Sequence, residues 1–445
     1  MITIDTGAGL DLTGQPATVI DEIDALARTP LSGVLIMMKY RSVGAGFGLA
    51  SALIWTGSLL ATSCSATPTV SRTSDFLDSI GVNTHVEYTD SRYANMAQVI
   101  HTLQYVGITH VRDGALWHGN QGQASYGVLA RTGVKFDLFF NRNLPVQIAE
   151  VQHFVATYPG SVDAIEGPNE VNNFPVQYLG EKGTAGAIAY QNALYQQVKA
   201  DPVLNQIPVV NFTDWPNHAG QADYGNVHSY PKNGAQPQIT LDRDISDETK
   251  VAAGAPLIAT ETGYHTLVDA PAKNGVPEKL QAIYIANLLF DNFSNHIRRT
   301  YIYELLDEFA DPKNTEQEKH FGLFHTDYTP KLSANFLHNL HTILGDDKQP
   351  DGTPAPVAVE VSDGRYLVLS RSDGRHFILL WREPNLWDHD AKVPLPAPVL
   401  PVQIRFDRPR ELATYSPIDS ARPTRAGEQR TLTLSLAAEP VIIEF

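Results

Sequence analysis

The chain has 445 residues, 43% of them apolar, which exceeds one ordinary domain and allows a large core. A formal net charge of −16 argues against nucleic acid or an anionic membrane surface as a partner. Cys64 is the single cysteine, which excludes an intramolecular disulfide and any cysteine-built zinc centre, so packing must supply the stability.

Residues 1–36 show no sustained helix or strand period and are set aside as an N-terminal extension. Met37–Arg41 is a basic flank, Val43–Leu60 is apolar and rich in small residues, and Ala61–Ala66 is a small polar exit. That is the three-part plan of a secretory signal over 37–66, and hence of a protein exported to the periplasm or the medium. A membrane anchor is the competing reading, because the apolar run is near spanning length. Its glycines and serines favour cleavage. Cys64 leaves open a lipoprotein whose lipid anchor is its sole tie to the membrane, although Ala61 stands where a lipobox has leucine. The alternative is a cysteine lost with the signal. Residues 67–74 read as a Ser/Thr-rich linker.

From residue 75 the chain alternates strand-like and helix-like stretches. Expected strands are Ile80–His85, Ile108–Asp113, Val134–Phe140, Val162–Gly167, Ile207–Phe212, Gly225–Tyr230, Pro256–Thr262 and Arg299–Leu305. Helical spacing is clearest in Ile148/Val151/Val155, in Leu280/Ile283/Tyr284/Leu288 after a first-turn Pro277, and in Leu332/Phe336/Leu340/Ile343. The fifth connection, around Trp215–Ala222, is weakly helical. Eight such units over 75–350 predict an α/β fold, a (β/α)₈ TIM barrel. A doubly wound sheet is the competing topology, but no Gly-rich phosphate turn follows the first strand.

A Pro/Gly/Asp stretch at Pro350–Pro356 opens a second domain, 351–445. Short strands are expected at Val359–Val361, Tyr366–Ser370, His376–Trp381, Val402–Phe406, Glu411–Tyr415, Thr431–Leu436 and Val441–Phe445. Ser-Asp-Gly-Arg at Ser362–Arg365 and at Ser372–Arg375 reads as two hairpin turns. The whole reads as an all-β sandwich, an accessory domain that packs beside the barrel as a stabiliser rather than a sugar binder.

Chemistry is expected where strands end. Val162–Glu166 runs into Gly167-Pro168, which stops a strand, and then into Asn169 and Glu170. Pro256–Ala259 likewise runs into Thr260-Glu261-Thr262-Gly263. Both glutamates then stand at the carboxyl ends of barrel strands, the catalytic face, and two such carboxylates are what a glycosidase needs. Taken alone, Glu170 is equally a first-turn glutamate favoured by a helix dipole. Asn169 shifts the balance, because an amide can bond a sugar hydroxyl and a carboxylate at once. Arg112 is the natural mate of Glu261 and would keep it ionised. Tyr230 could donate to Glu261 from His228-Ser229-Tyr230, and Asp113 reads as structural. His85, Asn141, Arg142 and Glu304 close strands one, three and eight and are candidate cleft residues. Trp117 and Trp215 are candidate sugar-stacking residues, although loop tryptophans more often pack locally. A metal reading of His85, His110 and His118 lacks ligand spacing, so no metal or cofactor is expected. There is no G-x-S-x-G nucleophile elbow.

Gly-Pro-Asn-Glu at 167–170, Thr-Glu-Thr-Gly-Tyr at 260–264, Val-Arg-Asp at 111–113 and His-Ser-Tyr at 228–230 resemble a clan A glycoside hydrolase, closest to family 39 and family 5-like members. The resemblance spans about Phe76–Leu344. It implies a retaining mechanism with Glu170 as acid/base and Glu261 as nucleophile, positioning roles for Arg112, Asn169 and Tyr230, and an oligo- or polysaccharide substrate joined by β-linkages. One departure affects the sugar-binding floor: the clan's strand-eight tryptophan is replaced by Tyr301–Leu305. Two other functions compete: a transglycosylase using the same site, and a non-catalytic carbohydrate-binding barrel, against which the presence of both glutamates argues.

Overall fold

The computed structural model describes residues 68–117, 122–269, 275–346 and 353–445. The extension, the signal segment with Cys64, and His118 lie outside the described residues. Among those described, no helix is long and apolar enough to cross a membrane.

The first strand departs from expectation. Residues expected as linker form β1 (Val70–Arg72), followed at once by α1 (Thr73–Asp78). Strand β1 belongs to the C-terminal sheet, described below. The barrel then runs β2 (Ile80–Asn83), α2 (Met96–Val106), β3 (His110–Gly114), α3 (Gln123–Ala130), β4 (Lys135–Phe139), α4 (Leu144–Thr157) and β5 (Val162–Glu166). It continues with α5 (Gly183–Ala200), β6 (Val209–Val210), β7 (Gly225–His228), α6 (Pro237–Val251), β8 (Leu257–Thr262), α7 (Glu278–Ser294), β9 (Thr300–Ile302) and α8 (Leu332–Leu344). Strands β2–β9 pair in parallel in the order β6-β5-β4-β3-β2-β9-β8-β7, and a parallel bridge between Val210 and Tyr224 closes the ring. The expected (β/α)₈ barrel is therefore present. Its fifth connection, 211–224, carries no helix.

Helix ends follow local chemistry. Asn95 caps α2 by accepting from the Gln98 N–H, and Asn143 caps α4 by accepting from the Val146 N–H. Gly107, at φ 70°, closes α2 in the left-handed conformation. Pro277 stands at the N-cap of α7 rather than inside its first turn. Every residue of α7 from Leu280 to Asn292 is buried, because the helix lies between the barrel wall, its neighbours α6 and α8, and the C-terminal domain.

That domain contains β10 (Val359–Val361), β11 (Arg365–Ser370), β12 (His376–Trp381), β13 (Leu400–Tyr415), β14 (Thr424–Leu436) and β15 (Val441–Glu444). They form one sheet in the order β1-β11-β12-β15-β13-β10, with β14 also paired to β13. Two strands expected separately, 402–406 and 411–415, are one strand whose register shifts between Arg405 and Arg410. Of the two Asp-Gly turns, Ser372–Arg375 joins an antiparallel hairpin, β11–β12. Ser362–Arg365 instead separates strands that do not pair, since β10 goes to β13. Both turns place their glycine at positive φ, 84° and 89°. In β12, Phe377, Leu379 and Trp381 face the barrel core, while Ile378 and Leu380 face the domain's own core. The Trp381 indole donates to Asp291 of α7 at 3.0 Å. One face of β12 thus packs into the barrel's apolar cluster and the other into the domain's own.

Candidate active site

Glu170 and Glu261 come together at the carboxyl ends of the strands. The hub beneath them is Arg112, in β3 and 2% exposed. All five of its N–H donors are used. Nε and Nη2 make a bidentate pair with Glu166 at 2.7 and 2.8 Å. Nη1 reaches Asn83 at 3.0 Å and Glu261 at 2.8 Å, and Nη2 also reaches Asn169 at 2.7 Å. Burial alone would lower the pKa of this guanidinium, but the Glu166 and Glu261 charges outweigh it and raise the value. Arg112 therefore orients one carboxylate and one amide of the expected site in a single rigid fork.

The second oxygen of Glu261 accepts from the Tyr230 hydroxyl at 3.2 Å. Burial, then the Glu261 charge, pushes the Tyr230 phenol well above its ordinary pKa, so it stays a donor. His228 lies between the two glutamates: its Nδ1 is 3.2 Å from Glu170 and 3.4 Å from Glu261. One oxygen of each carboxylate and the imidazole nitrogen all fall within 4.8 Å of one another.

The protonation of His228 follows from its other neighbour. Asn226 donates both amide hydrogens, to Glu166 at 3.1 Å and to the Asn211 carbonyl at 3.0 Å. Its side-chain oxygen must accept, and the Thr260 hydroxyl is the donor at 2.8 Å. Thr260 Oγ1 is then free to accept from His228 Nε2 at 2.8 Å, so Nε2 carries a hydrogen. Nδ1 is then the nitrogen that faces the two glutamates. The hydrogen bond with His228 draws the Glu170 carboxyl down to about 2, against the upward push of burial.

Glu170 is held in place by backbone. Its φ of 40° is left-handed, which costs a non-glycine residue about 1–3 kcal/mol. The Glu170 N–H donates to Thr213 Oγ1 at 2.8 Å, and the Val171 N–H donates to the Thr213 carbonyl at 2.9 Å. At Gly167, just upstream, a Cβ would meet the Gln191 amide oxygen at 1.8 Å and force that side chain to shift. A cavity of about 510 Å³ opens beside Glu170, lined among others by Asn172, Trp215, His228, Tyr230 and Arg243. A larger one, about 1100 Å³, lies at the opposite end of the barrel around Asp78, Asp163 and Arg299, where strands begin.

The remaining sequence candidates divide. Trp215 is 58% exposed on the wall of the cavity beside Glu170. Trp117 is packed under the Arg142 guanidinium, 4.4 Å from the ring centre. Asn141 is exposed and contributes its backbone N–H to Gln147, away from the glutamates. Glu304, expected to line the cleft, is fully buried and meets His85 instead. Asp113 is structural, accepting from Thr84, Val86, Gly114 and Tyr126, and burial lifts it to about 7. His110 begins β3, at the other end of the barrel from His85, and bonds Asp78 and Asp163. Sequence reasoning missed Asn83, Glu166, Asn226 and Thr260. Of these, Glu166 carried a signal, a charged residue closing an otherwise buried strand. Among the described residues, two clusters have metal-ligand spacing: Glu170/His228/Glu261, and His85/Glu304/Glu308.

The fold, a closed (β/α)₈ barrel with a C-terminal β domain, is similar to that of solved family 39 glycoside hydrolases. The chain is similar to a monomeric β-xylosidase from Caulobacter crescentus CB15, with a TM-score of 0.55 and 15% identity over 85% of this chain and 97% of that one. It is similar also to a family 39 glycoside hydrolase from Bacteroides cellulosilyticus WH2, with a TM-score of 0.53 and 14% identity over 85% and 82%. A family 39 enzyme from Xanthomonas axonopodis pv. citri matches with a TM-score of 0.53 and 12% identity over 85% and 95%. No protein-family model and no curated protein matches the sequence.

Proposed function

We propose that the protein is a glycoside hydrolase that cleaves a β-linked oligo- or polysaccharide by double displacement, with retention of configuration. One observation carries the reading: carboxylate oxygens of Glu170 and Glu261 stand within 4.8 Å across the barrel mouth. Retaining enzymes hold their carboxyls about 5–5.5 Å apart, whereas inverting ones leave about 6.5–9.5 Å for a water. The fold shared with family 39 enzymes supports the same class.

In the first step Glu261, steadied by Arg112 and Tyr230, attacks the anomeric carbon. The glycosidic oxygen leaves with a proton donated by Glu170, and an ester forms on Glu261. Water then enters, Glu170 takes its proton, and attack on the anomeric carbon releases Glu261. Two inversions give net retention. Asn169, fixed by Arg112, presents its amide hydrogens to a sugar hydroxyl. The cavity on the Glu170 side, with Trp215 on its wall, suits the departing portion of the substrate, because the acid must face the leaving oxygen.

The test is a panel of aryl β-glycosides and β-glycans, with the product anomer read by proton NMR before mutarotation. A β-anomer formed first supports the proposal. An α-anomer formed first refutes retention, and no turnover on any member refutes the activity.

A further inference from the structure

Beyond β9 the chain turns across the barrel mouth through Tyr303, Glu304 and Leu305 to Glu308, and both glutamates meet His85 at the end of the first barrel strand. His85 Nε2 is 3.5 Å from Glu304 and 3.3 Å from Glu308. The three ligating atoms lie within 4.8 Å of one another. Glu304 is fully buried. Its Oε2 has only a long contact, 3.4 Å, from the Tyr93 hydroxyl. Apart from a hydrogen bond between the two carboxyls themselves, no N–H or O–H reaches Oε1 of Glu304, Oε1 of Glu308 or Nε2 of His85. Among the described residues neither carboxylate pairs with a lysine or arginine; the nearby Lys331 is committed to Asp307 at 2.8 Å.

This is an unusual deficit. Two carboxyl groups and an imidazole converge on a point that no lysine or arginine reaches among the described residues.

We propose that His85, Glu304 and Glu308 bind a divalent transition cation of the zinc class. The spacing fits. In a tetrahedral centre with bonds of about 2.0–2.1 Å, ligand atoms stand roughly 3.3–3.4 Å apart, against the 3.5 and 3.3 Å found here. A nitrogen-and-oxygen set suits such an ion, while calcium takes six to eight oxygens at longer range. His85 and Glu308 keep 17% and 12% side-chain exposure, which leaves the ion a path from solvent. The cation pins the loop after β9 to the end of β2. That loop carries Tyr303, whose ring lies 5.8 Å from His85 and 6.5 Å from Tyr230, the donor to Glu261. The ion is thus a structural clasp beside the glutamate pair, outside the bond-breaking steps.

Chelator-treated protein titrated with Co²⁺ should develop visible d–d bands that saturate at one equivalent, and Zn²⁺ should raise its Tm and displace the cobalt. The E308Q and H85Q variants should weaken Co²⁺ binding by more than the roughly 10–100-fold that loss of a supporting hydrogen bond causes. The E170Q variant, which removes a ligand from the other cluster, should bind Co²⁺ as wild type does. Should E308Q and H85Q fail to fold, X-ray absorption of Co²⁺-loaded E170Q decides, with one imidazole and carboxylate oxygens expected. Absence of d–d bands and of any Tm rise with millimolar Zn²⁺ would overturn the site in favour of a proton shared by the two carboxyls. Stabilisation by Ca²⁺ but not Zn²⁺ would overturn the ion class. Binding abolished in E170Q but intact in E308Q would move the ion to the catalytic glutamates.

Discussion

Replacing Arg112 with lysine keeps the charge and removes the fork. Arginine serves five acceptor atoms here, on Asn83, Glu166, Asn169 and Glu261. Lysine has three donors, so at least two of these five hydrogen bonds are lost. Each hydrogen bond to a charged group is worth about 1.5–3 kcal/mol, which predicts a loss of about 3–6 kcal/mol in unfolding free energy. Glu261 and Asn169 also lose their common anchor, and a misplacement near 1 Å can cost about 10²-fold in rate. Urea unfolding at pH 7 measures the first quantity, and kcat/KM on an aryl β-glycoside the second. A variant within 1 kcal/mol of wild-type stability and within about threefold of its kcat/KM would show that Arg112 is not the hub, whatever its contacts.

The two glutamates should separate by kinetics. Glu261→Ala should stall on every substrate, with azide restoring turnover to a product of inverted configuration. Glu170→Ala should still form the glycosyl-enzyme from an activated aryl glycoside but lose most activity on glycans, and azide should then give a retained product; reversed azide stereochemistry would exchange the roles. At the opposite end of the barrel, Asp163 accepts from His110 and Arg299. Burial would raise its pKa, but the His110 hydrogen bond and the Arg299 and Lys135 charges leave it lowered. A lowered carboxyl stabilises the fold above its ordinary value near 3.8 and ceases to do so as the pH falls through the folded value. Asp163→Asn should therefore cost about 2 kcal/mol at pH 7 by urea unfolding, and a gap to wild type that failed to narrow towards pH 2 would refute the linkage. In the natural host the mature chain should begin near Ser63–Thr67, and N-terminal sequencing that found a retained Met1 on an active cytoplasmic protein would refute export.

The barrel and its two glutamates were legible because strand-ending motifs are local. Gly167-Pro168 favours the end of a strand, because proline donates no ladder hydrogen bond and glycine allows a sharp bend, and the residues that follow then stand at the mouth. Partnership was not local. Glu166 looked like one more residue of its strand, because the arginine that satisfies it lies 54 positions away. Thr260 and Asn226 earn no attention until a histidine needs its tautomer fixed. The stretch 70–72 resembled a linker since its polar residues match no period, and its pairing strand begins only at Arg365. The same limit explains the two Ser-Asp-Gly-Arg turns. Their backbone signal is identical, yet only one joins neighbouring strands, because the choice of neighbour belongs to the sheet. Asp407-Arg408-Pro409 suggested a break between two strands, whereas β13 absorbs it as an irregularity.

The placement of β1 has a consequence for biosynthesis. Val70 lies opposite Val368, so one of the first segments of the folded region waits for a partner made roughly 300 residues later. At about 5–20 residues per second, translation of that interval takes on the order of 15–60 s. The barrel strands emerge in between and can pair without it, but the C-terminal sheet cannot be completed until the waiting segment docks. A ribosome-bound fragment ending near residue 350 should therefore expose a short unpaired edge at its amino end, open to chaperones. A gene split at that residue would put the two sides of one sheet on different polypeptides.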